Sequence, residues 1–522
     1  MGRNPVPSPL YFTQGDFRVS TLEQWQTRLP SIKVSSLYLT GRERLQPICP
    51  QYLMRVLNAI LLALALSNLL QPQVYATTSD DSTRHPNIVF IMADDLGYGD
   101  LGCFGQKQIQ TPNIDRLAHG GMRLTDFYAG STVCAPSRCV LMTGYHTGHA
   151  FIRGNGKDNL RPEDLTVAEI LQKAGYATCL TGKWGLGHEG STGVPNRQGF
   201  DYFFGYLDQH HAHNYYPTFL LRNEERVHLD NVVPQEGKFG QGVATKKVDY
   251  SHDLITDEAL AFIDRAAGQP FFLYVPWTIP HANNEARKRG MEVPDLGPYE
   301  GKDWPLAQKA HAAMITRMDR DMGRILAALK KNQLTEETLI IFTSDNGPHR
   351  EGGNNPDFPD SNGPLRGIKR ALTEGGIRVP TIAYWPQRIE AGTTTNHVGC
   401  FQDVMPTLAE LAGVLQEVPA DTDGISFLPT LLGRAQDQQQ HDFLYWAFYE
   451  GRGGRAARMG KWKAVQQPLH TPLRLYDLSK DLGEEKDLAP AEAGLVDELT
   501  ALMDHAYAPS ERWKFPQPRK PK

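Results

Sequence analysis

Residues 87–95, NIVFIMADD, form an apolar run from Ile88 to Met92 that ends abruptly in Asp94 and Asp95. Similar unbroken runs occur at 271–275, 338–343 and 381–385, and amphipathic helical patterns at 165–174, 253–266 and 306–330. A strand without polar alternation must be buried on both faces, which a largely parallel sheet achieves when helices cover each side. The fold class is therefore α/β: a large, mostly parallel mixed sheet flanked by helices. Gly/Pro/Asn-rich stretches such as 352–365 read as long surface loops. After the polar break RAQDQQQ (434–440) come short β-like stretches at 443–449, 455–466 and 473–478, then a helical pattern at 491–506. The expected division is a large domain at 85–434 and a small α+β domain with an antiparallel sheet at 435–522.

The two strand tips carry the first chemical signal. Adjacent carboxylates beside a buried strand repel one another and lose solvation, so a cation is needed to neutralise them. The run TLIIFTSDNG ends in the same manner, in Asp345 and Asn346. Ligands of open α/β sheets gather outside the carboxyl ends of the strands. If the two tips meet, three carboxylates and one amide oxygen make a hard, all-oxygen site. Such a site prefers calcium or magnesium to zinc, and the irregular ligand mix leans towards calcium. Either pair alone could equally cap a loop; both together favour the metal.

A second signal lies in STVCAPSRCVLMTG, residues 131–144. Pro136 suits the first turn of a helix running to about Thr143, which puts Cys134 at its N-terminal end. The helix dipole and free N–H groups there favour an anion, and Arg138 adds a full charge one turn along. A bare cysteine in this position could instead be a redox residue or a buried structural one.

Cys134-Ala135-Pro136-Ser137-Arg138 matches the C-x-P-S-R signature, and the chain here resembles the type I sulfatases, the arylsulfatase A-like family. PNIVFIMADDLGYGDLGCFG, TPNIDRLAHGGMRLTDFYA, GKWGLG, GFDYFFGY, SDNG and LTEGGIRVP resemble the same family in its usual order, across roughly residues 85–480. The resemblance implies an alkaline-phosphatase-like fold with a small C-terminal sheet domain. It implies that Cys134 is oxidised to formylglycine by a maturation enzyme. It also implies one calcium ion on Asp94, Asp95, Asp345, Asn346 and the modified Cys134. Arg138 would hold the formylglycine and neighbouring charges, Lys183 and Lys369 would clamp sulfate oxygens, and His281 would sit near the leaving-group oxygen. Without those motifs, both lysines would read as ordinary solvated side chains.

The implied reaction is hydrolysis of a small-molecule or carbohydrate sulfate ester. One hydroxyl of the aldehyde hydrate attacks sulfur, a covalent sulfo-enzyme forms, and the second hydroxyl drives sulfate out. One position departs from the pattern. Many family members have GKWHLG, and this chain has Gly185 in place of that histidine. His188, His211 and His213 are candidates to replace it, with His213 preferred for its place in the aromatic HNYYP loop. Two competing functions are a phosphodiesterase or phosphonate hydrolase of the same superfamily, and a binding protein that has kept the fold without activity.

Bulk properties narrow the partners. The formal net charge of −5 over 522 residues offers neither a nucleic-acid footprint nor a polybasic membrane patch. Residues 54–76 have the cation, apolar core and small-residue end of a secretory signal peptide, and the apolar part is short for a stable membrane span. Residues 1–53 then read as an over-extended reading of the gene; a cytoplasmic arm before an uncleaved anchor is the other reading. Export, to the periplasm or the medium, follows. The six cysteines lack disulfide-framework or zinc spacing, and an oxidising compartment would still allow one disulfide among the later four, Cys134, Cys139, Cys179 and Cys400.

Overall fold

Alternate residues of the strand Asn87–Ala93 enter two different cores. Ile88, Phe90 and Met92 belong to one buried cluster, and Val89, Ile91 and Ala93 to another on the opposite face. The computed structural model describes residues 85–518, so the expected signal peptide and the extension before it lie outside the described residues. In chain order the strands are β1 (Asn87–Ala93), β2 (Met122–Leu124), β3 (Phe127–Tyr128), β4 (Ala177–Lys183), β5 (Tyr202–Tyr206) and β6 (Phe219–Arg222). They continue as β7 (Glu225–His228), β8 (Phe271–Pro276), β9 (Thr338–Ser344), β10 (Thr381–Tyr384), β11 (Thr393–Thr395) and β12 (Gly399–Cys400).

The main sheet has the order β11-β2-β10-β9-β1-β8-β4-β5-β6-β7. Its centre, β9-β1-β8-β4-β5, is parallel throughout, and antiparallel pairing enters at β10 and β6. The helices Pro112–Gly120, Ser251–Ala266 and Leu306–Lys331 feed the second core, and Cys134–Thr143, Val167–Lys173 and Val404–Leu411 feed the first. The sequence patterns located β1, β8, β9 and β10 and the helices Cys134–Thr143, Val167–Lys173, Ser251–Ala266 and Leu306–Lys331 to within a few residues; the remaining elements carried no assigned pattern. The run at 381–385 differs in direction: β10 lies antiparallel to β9, close to the sheet's edge.

A separate antiparallel sheet of β13 (Leu444–Phe448), β14 (Gly454–Met459), β15 (Trp462–Gln466) and β16 (Arg474–Asp477) follows, with the helix Ala493–His505 against it. The stretch expected at 455–466 is thus two strands. The chain reverses at Gly460, whose φ of 55° suits a residue without a Cβ. This sheet braces both ends of the helix Cys134–Thr143. Trp446 Nε1 donates to Ala129 O (2.9 Å), and the Ala447 N–H donates to Thr147 Oγ1 (2.7 Å). A buried ion pair, Lys463 Nζ to Glu374 Oε1 at 2.8 Å, adds a further tie. Cys103, Cys134, Cys139, Cys179 and Cys400 are all free thiols. Among the described residues, no helix is long and apolar enough to cross a membrane.

Candidate active site

Register in the parallel sheet brings the acidic residues together. Ala93 lies opposite Ser344, so Asp94–Asp95 and Asp345–Asn346 leave β1 and β9 side by side. The Asp345 N–H donates to Ala93 O (3.1 Å), and the Asp95 N–H returns a bond to Asp345 Oδ1 (3.1 Å). Lys183 is the last residue of the parallel strand β4, which lies beyond β8 from β1. The Gly182 before it has φ +141°, and a Cβ there would stand 2.1 Å from Pro276 O, so the close approach of β4 and β8 requires glycine. His281 follows β8. Four adjacent strands therefore deliver their carboxyl-end residues to one place, as the topology of open sheets predicts.

The helix Cys134–Thr143 closes the site. Its N-terminus has no side-chain cap from Val133; instead Asn155 Oδ1 accepts the Ala135 N–H at 3.0 Å. Pro136 sits in the first turn, where its missing N–H costs nothing. Cys134 Sγ lies 3.4 Å from Asp94 Oδ1. Arg138, only 1% exposed, donates Nε and Nη2 to Asp345 Oδ2 (3.2 and 2.8 Å) and Nη1 to Lys183 O (2.5 Å). Lys183 Nζ donates to Asp94 Oδ2 at 2.6 Å, and Lys369 Nζ to Asp95 Oδ2 at 2.8 Å. Asn346 Nδ2 donates to Asp95 Oδ1 at 2.6 Å.

Three buried carboxylates thus face three buried cations. Burial alone would raise the Asp94 carboxyl, but Lys183 foremost, with Arg138 and Lys369, holds it well below the ordinary range. Asp345 goes the other way, pushed up to about 6 by burial and by Asp94 beside it. Burial, then Asp345 and Asp94, drives the Cys134 thiol well above its usual value, so the bare thiol stays protonated and is a poor nucleophile. His281 is kept neutral by burial and by the Lys369 ammonium. Its Nδ1–H donates to Ala282 O (2.7 Å), which leaves Nε2 to accept from Lys369 Nζ at 2.9 Å.

The donor set fits a hard cation. Ligand atoms of Asp94, Asp95, Cys134 and His281 lie within 4.8 Å of one another. Asn346 Oδ1 is buried with no hydrogen-bond partner among the described residues. A buried amide oxygen left unpaired beside carboxylates is what an oxygen-seeking ion would satisfy. Asp345 lies outside that close group and is engaged by Arg138.

Residues 86–414 match the family model described as Sulfatase, and residues 368–506 match that of N-sulphoglucosamine sulphohydrolase, C-terminal. The chain belongs to the sulfatase family. It is 34% identical to human (Homo sapiens) arylsulfatase A over 476 residues, covering 80% of this chain and 86% of that one. N-acetylgalactosamine-6-sulfatase of Sus scrofa is 32% identical, covering 73% and 71% respectively. The solved structure of Ps i-CgsB, also solved in complex with k-i-k-neocarrahexaose, is 28% identical with a TM-score of 0.68, covering 81% of this chain and 92% of that one. This sulfatase is a sulfuric ester hydrolase with the alkaline-phosphatase-like fold.

The histidines of this sulfatase fall in different places. His213 stacks face to face on His281, with ring centroids 5.0 Å apart, and its Nδ1 meets Glu285 Oε2 at 3.3 Å. His188 bridges Asn159 and Asp208. His211 is buried against Tyr206 and Phe219. The side chain facing Gly185 is Gln209, whose Nε2 would lie 3.1 Å from a Cβ built there. Two charged or polar groups escaped the sequence reading. Gln209 was masked by the histidines that follow it. Glu351, 3.5 Å from Lys369 Nζ and 2.6 Å from Arg370 Nη1, lies six residues beyond Asp345 in a loop without a pattern.

Proposed function

We propose that this sulfatase carries formylglycine at position 134 and one calcium ion held by Asp94, Asp95, Asp345 and Asn346, and that it cleaves carbohydrate or small-molecule sulfate esters. The observation that carries the proposal is the position of Cys134. It lies at a helix entrance, in contact with a carboxylate cluster and ringed by Arg138, Lys183 and Lys369. The raised thiol pKa speaks against thiolate chemistry at this position. Formylglycine supplies a geminal diol, one hydroxyl to attack sulfur and one to release sulfate afterwards. Calcium, when bound, lowers the pKa of an oxygen nucleophile and offsets charge on sulfate oxygens.

The protein's own groups do the remaining work. With three carboxylates against three cations the side chains sum to zero, so a divalent ion leaves a net charge of +2 to draw in an anionic ester. Lys183 uses one N–H on Asp94, which frees two for sulfate oxygens. Arg138 holds Asp345 and Lys183 in register through its planar fork. Lys369 keeps its proton on Nζ and donates it in a hydrogen bond to Nε2 of neutral His281, and this pair would supply a proton to the departing alcohol. Preorganised charge of this kind is usually the largest catalytic contribution.

A two-metal phosphodiesterase needs further ligands, and the nearest candidate group fails on hydrogen bonding. His349 Nδ1 accepts the Glu351 N–H (3.0 Å) and Nε2 donates to Pro280 O (3.1 Å), so neither ring nitrogen is free. Export to the periplasm or medium and dependence on a formylglycine-generating enzyme complete the proposal. The test is a side-by-side assay with an aryl sulfate and an aryl phosphate diester. A kcat/KM favouring the sulfate is expected; a large preference for the diester refutes the assignment. Cys134→Ala should abolish turnover, and a variant with normal rates would place the nucleophile elsewhere.

A further inference from the structure

A cavity of about 580 Å³ opens beside the catalytic centre, within the size range of ligand pockets. Two of its walls are continuous with that centre. In the first wall, Asn155 accepts the Ala135 N–H at the helix entrance, and Lys157 and Asn159, two and four residues on, line the cavity. In the second, Leu207 O accepts the Gly185 N–H at 3.0 Å, Leu207 and Asp208 line the cavity, and Gln209 faces Gly185.

Its carboxylates are already engaged. Asp208 accepts from His188 Nε2 (3.1 Å) and from the His210 N–H (2.7 Å), and Glu189 is paired with Arg226 at 2.8 Å. Lys157 and Lys238 remain, and among the described residues neither has a carboxylate partner; the Lys238 ammonium lies 5.3 Å from the Phe239 ring centroid. Phe239 stacks with His210 (6.1 Å) and tilts against His188 (5.7 Å), so the cavity offers an aromatic face as well as charge. A flat apolar plate with two unpaired ammonium groups suits a sugar ring that bears an anion.

We propose that this cavity is a subsite for a second anionic group, sulfate or carboxylate, on the sugar next to the sulfated one. The natural substrate is then a glycan with at least two negative charges. The inference rests on the sulfatase reading above and deepens it.

The test measures binding to the Cys134→Ala variant in the presence of calcium, where no turnover interferes. Three disaccharides serve as probes: one with a single sulfate, one with two sulfates, and one with a sulfate and a carboxylate. The doubly charged probe that matches should bind about tenfold more tightly than the singly charged one, as expected for two exposed charge pairs. Adding Lys157→Gln and Lys238→Gln should remove that preference. Whichever doubly charged probe shows the gain identifies sulfate or carboxylate as the group recognised. Equal affinities, a preference that survives both substitutions, or no binding of any probe overturns the subsite. The wild-type assay with an aryl sulfate separates this from the underlying reading: absent turnover there sinks the sulfatase mechanism, whatever the disaccharides do.

Discussion

Replacing Lys369 by alanine tests the charge balance and the chemistry together. Lys369 is 6% exposed, and its ammonium touches Asp95 (2.8 Å), His281 (2.9 Å) and Glu351 (3.5 Å). Its loss leaves the Asp95 carboxylate buried with no cationic side chain against it, only the Asn346 amide and, at 3.5 Å, Nε2 of neutral His281. Breaking one side of a buried pair costs about 3–5 kcal/mol, because the other charge stays behind. That figure applies to protein stripped of divalent ions with a chelator. Calcium bound beside Asp95 would take over part of the neutralisation, so the variant should regain much of its stability when calcium is restored. Activity should not recover with it. One positioned donor at developing negative charge contributes roughly 10²–10³ in kcat. The assay is denaturant unfolding with and without calcium, followed by steady-state kinetics at saturating calcium. A variant whose kcat lies within a few-fold of wild type would refute the role assigned to this lysine. A loss of stability that calcium leaves untouched would refute the metal's place beside Asp95.

Three further outcomes follow from named groups. Asp345→Asn should weaken calcium affinity and kcat together; unchanged affinity by titration calorimetry argues against Asp345 as a ligand. His281→Ala should slow alkyl sulfates more than nitrophenyl sulfate, because only a poor leaving group needs the proton; equal losses across leaving groups contradict the proton role. His211 is buried and its pKa is lowered to about 3 by burial, so the unfolded chain takes up a proton near pH 6.5 that the native state refuses. Stability is therefore full above pH 6.5 and falls by up to about 1.4 kcal/mol per pH unit as the pH drops towards 3. His211→Phe should flatten that slope in unfolding experiments, and an unaltered slope excludes His211 as a contributor.

The strands, their tips and the helix entrance could be read in the sequence because each obeys a local rule. Unbroken apolar runs marked β1, β8 and β9, and Asp94–Asp95 and Asp345–Asn346 stood at the ends of β1 and β9. The meeting of those ends was a consequence of parallel register, not of sequence proximity: Asp94 and Asp345 are far apart in the chain. Lys183 and Lys369 carry no local signal, and only the motifs around them singled them out. The direction of β10 was illegible, since an apolar run has no sense of parallel or antiparallel. The surroundings of Gly185 were illegible too. A missing side chain does not say what faces it, and Gln209 arrives there from a separate loop after β5. Likewise the charge balance of the cavity beside the site depends on which carboxylates are already paired, and only three-dimensional contacts decide that.

Catalysis as proposed requires an aldehyde at position 134 in the working enzyme, set among basic groups and a caged divalent ion. A mass spectrum of the peptide spanning residue 134, taken from active protein purified from its native host, measures this directly. The expected mass is that of formylglycine. A peptide bearing an intact thiol in a fully active preparation would contradict the chemistry proposed for this protein.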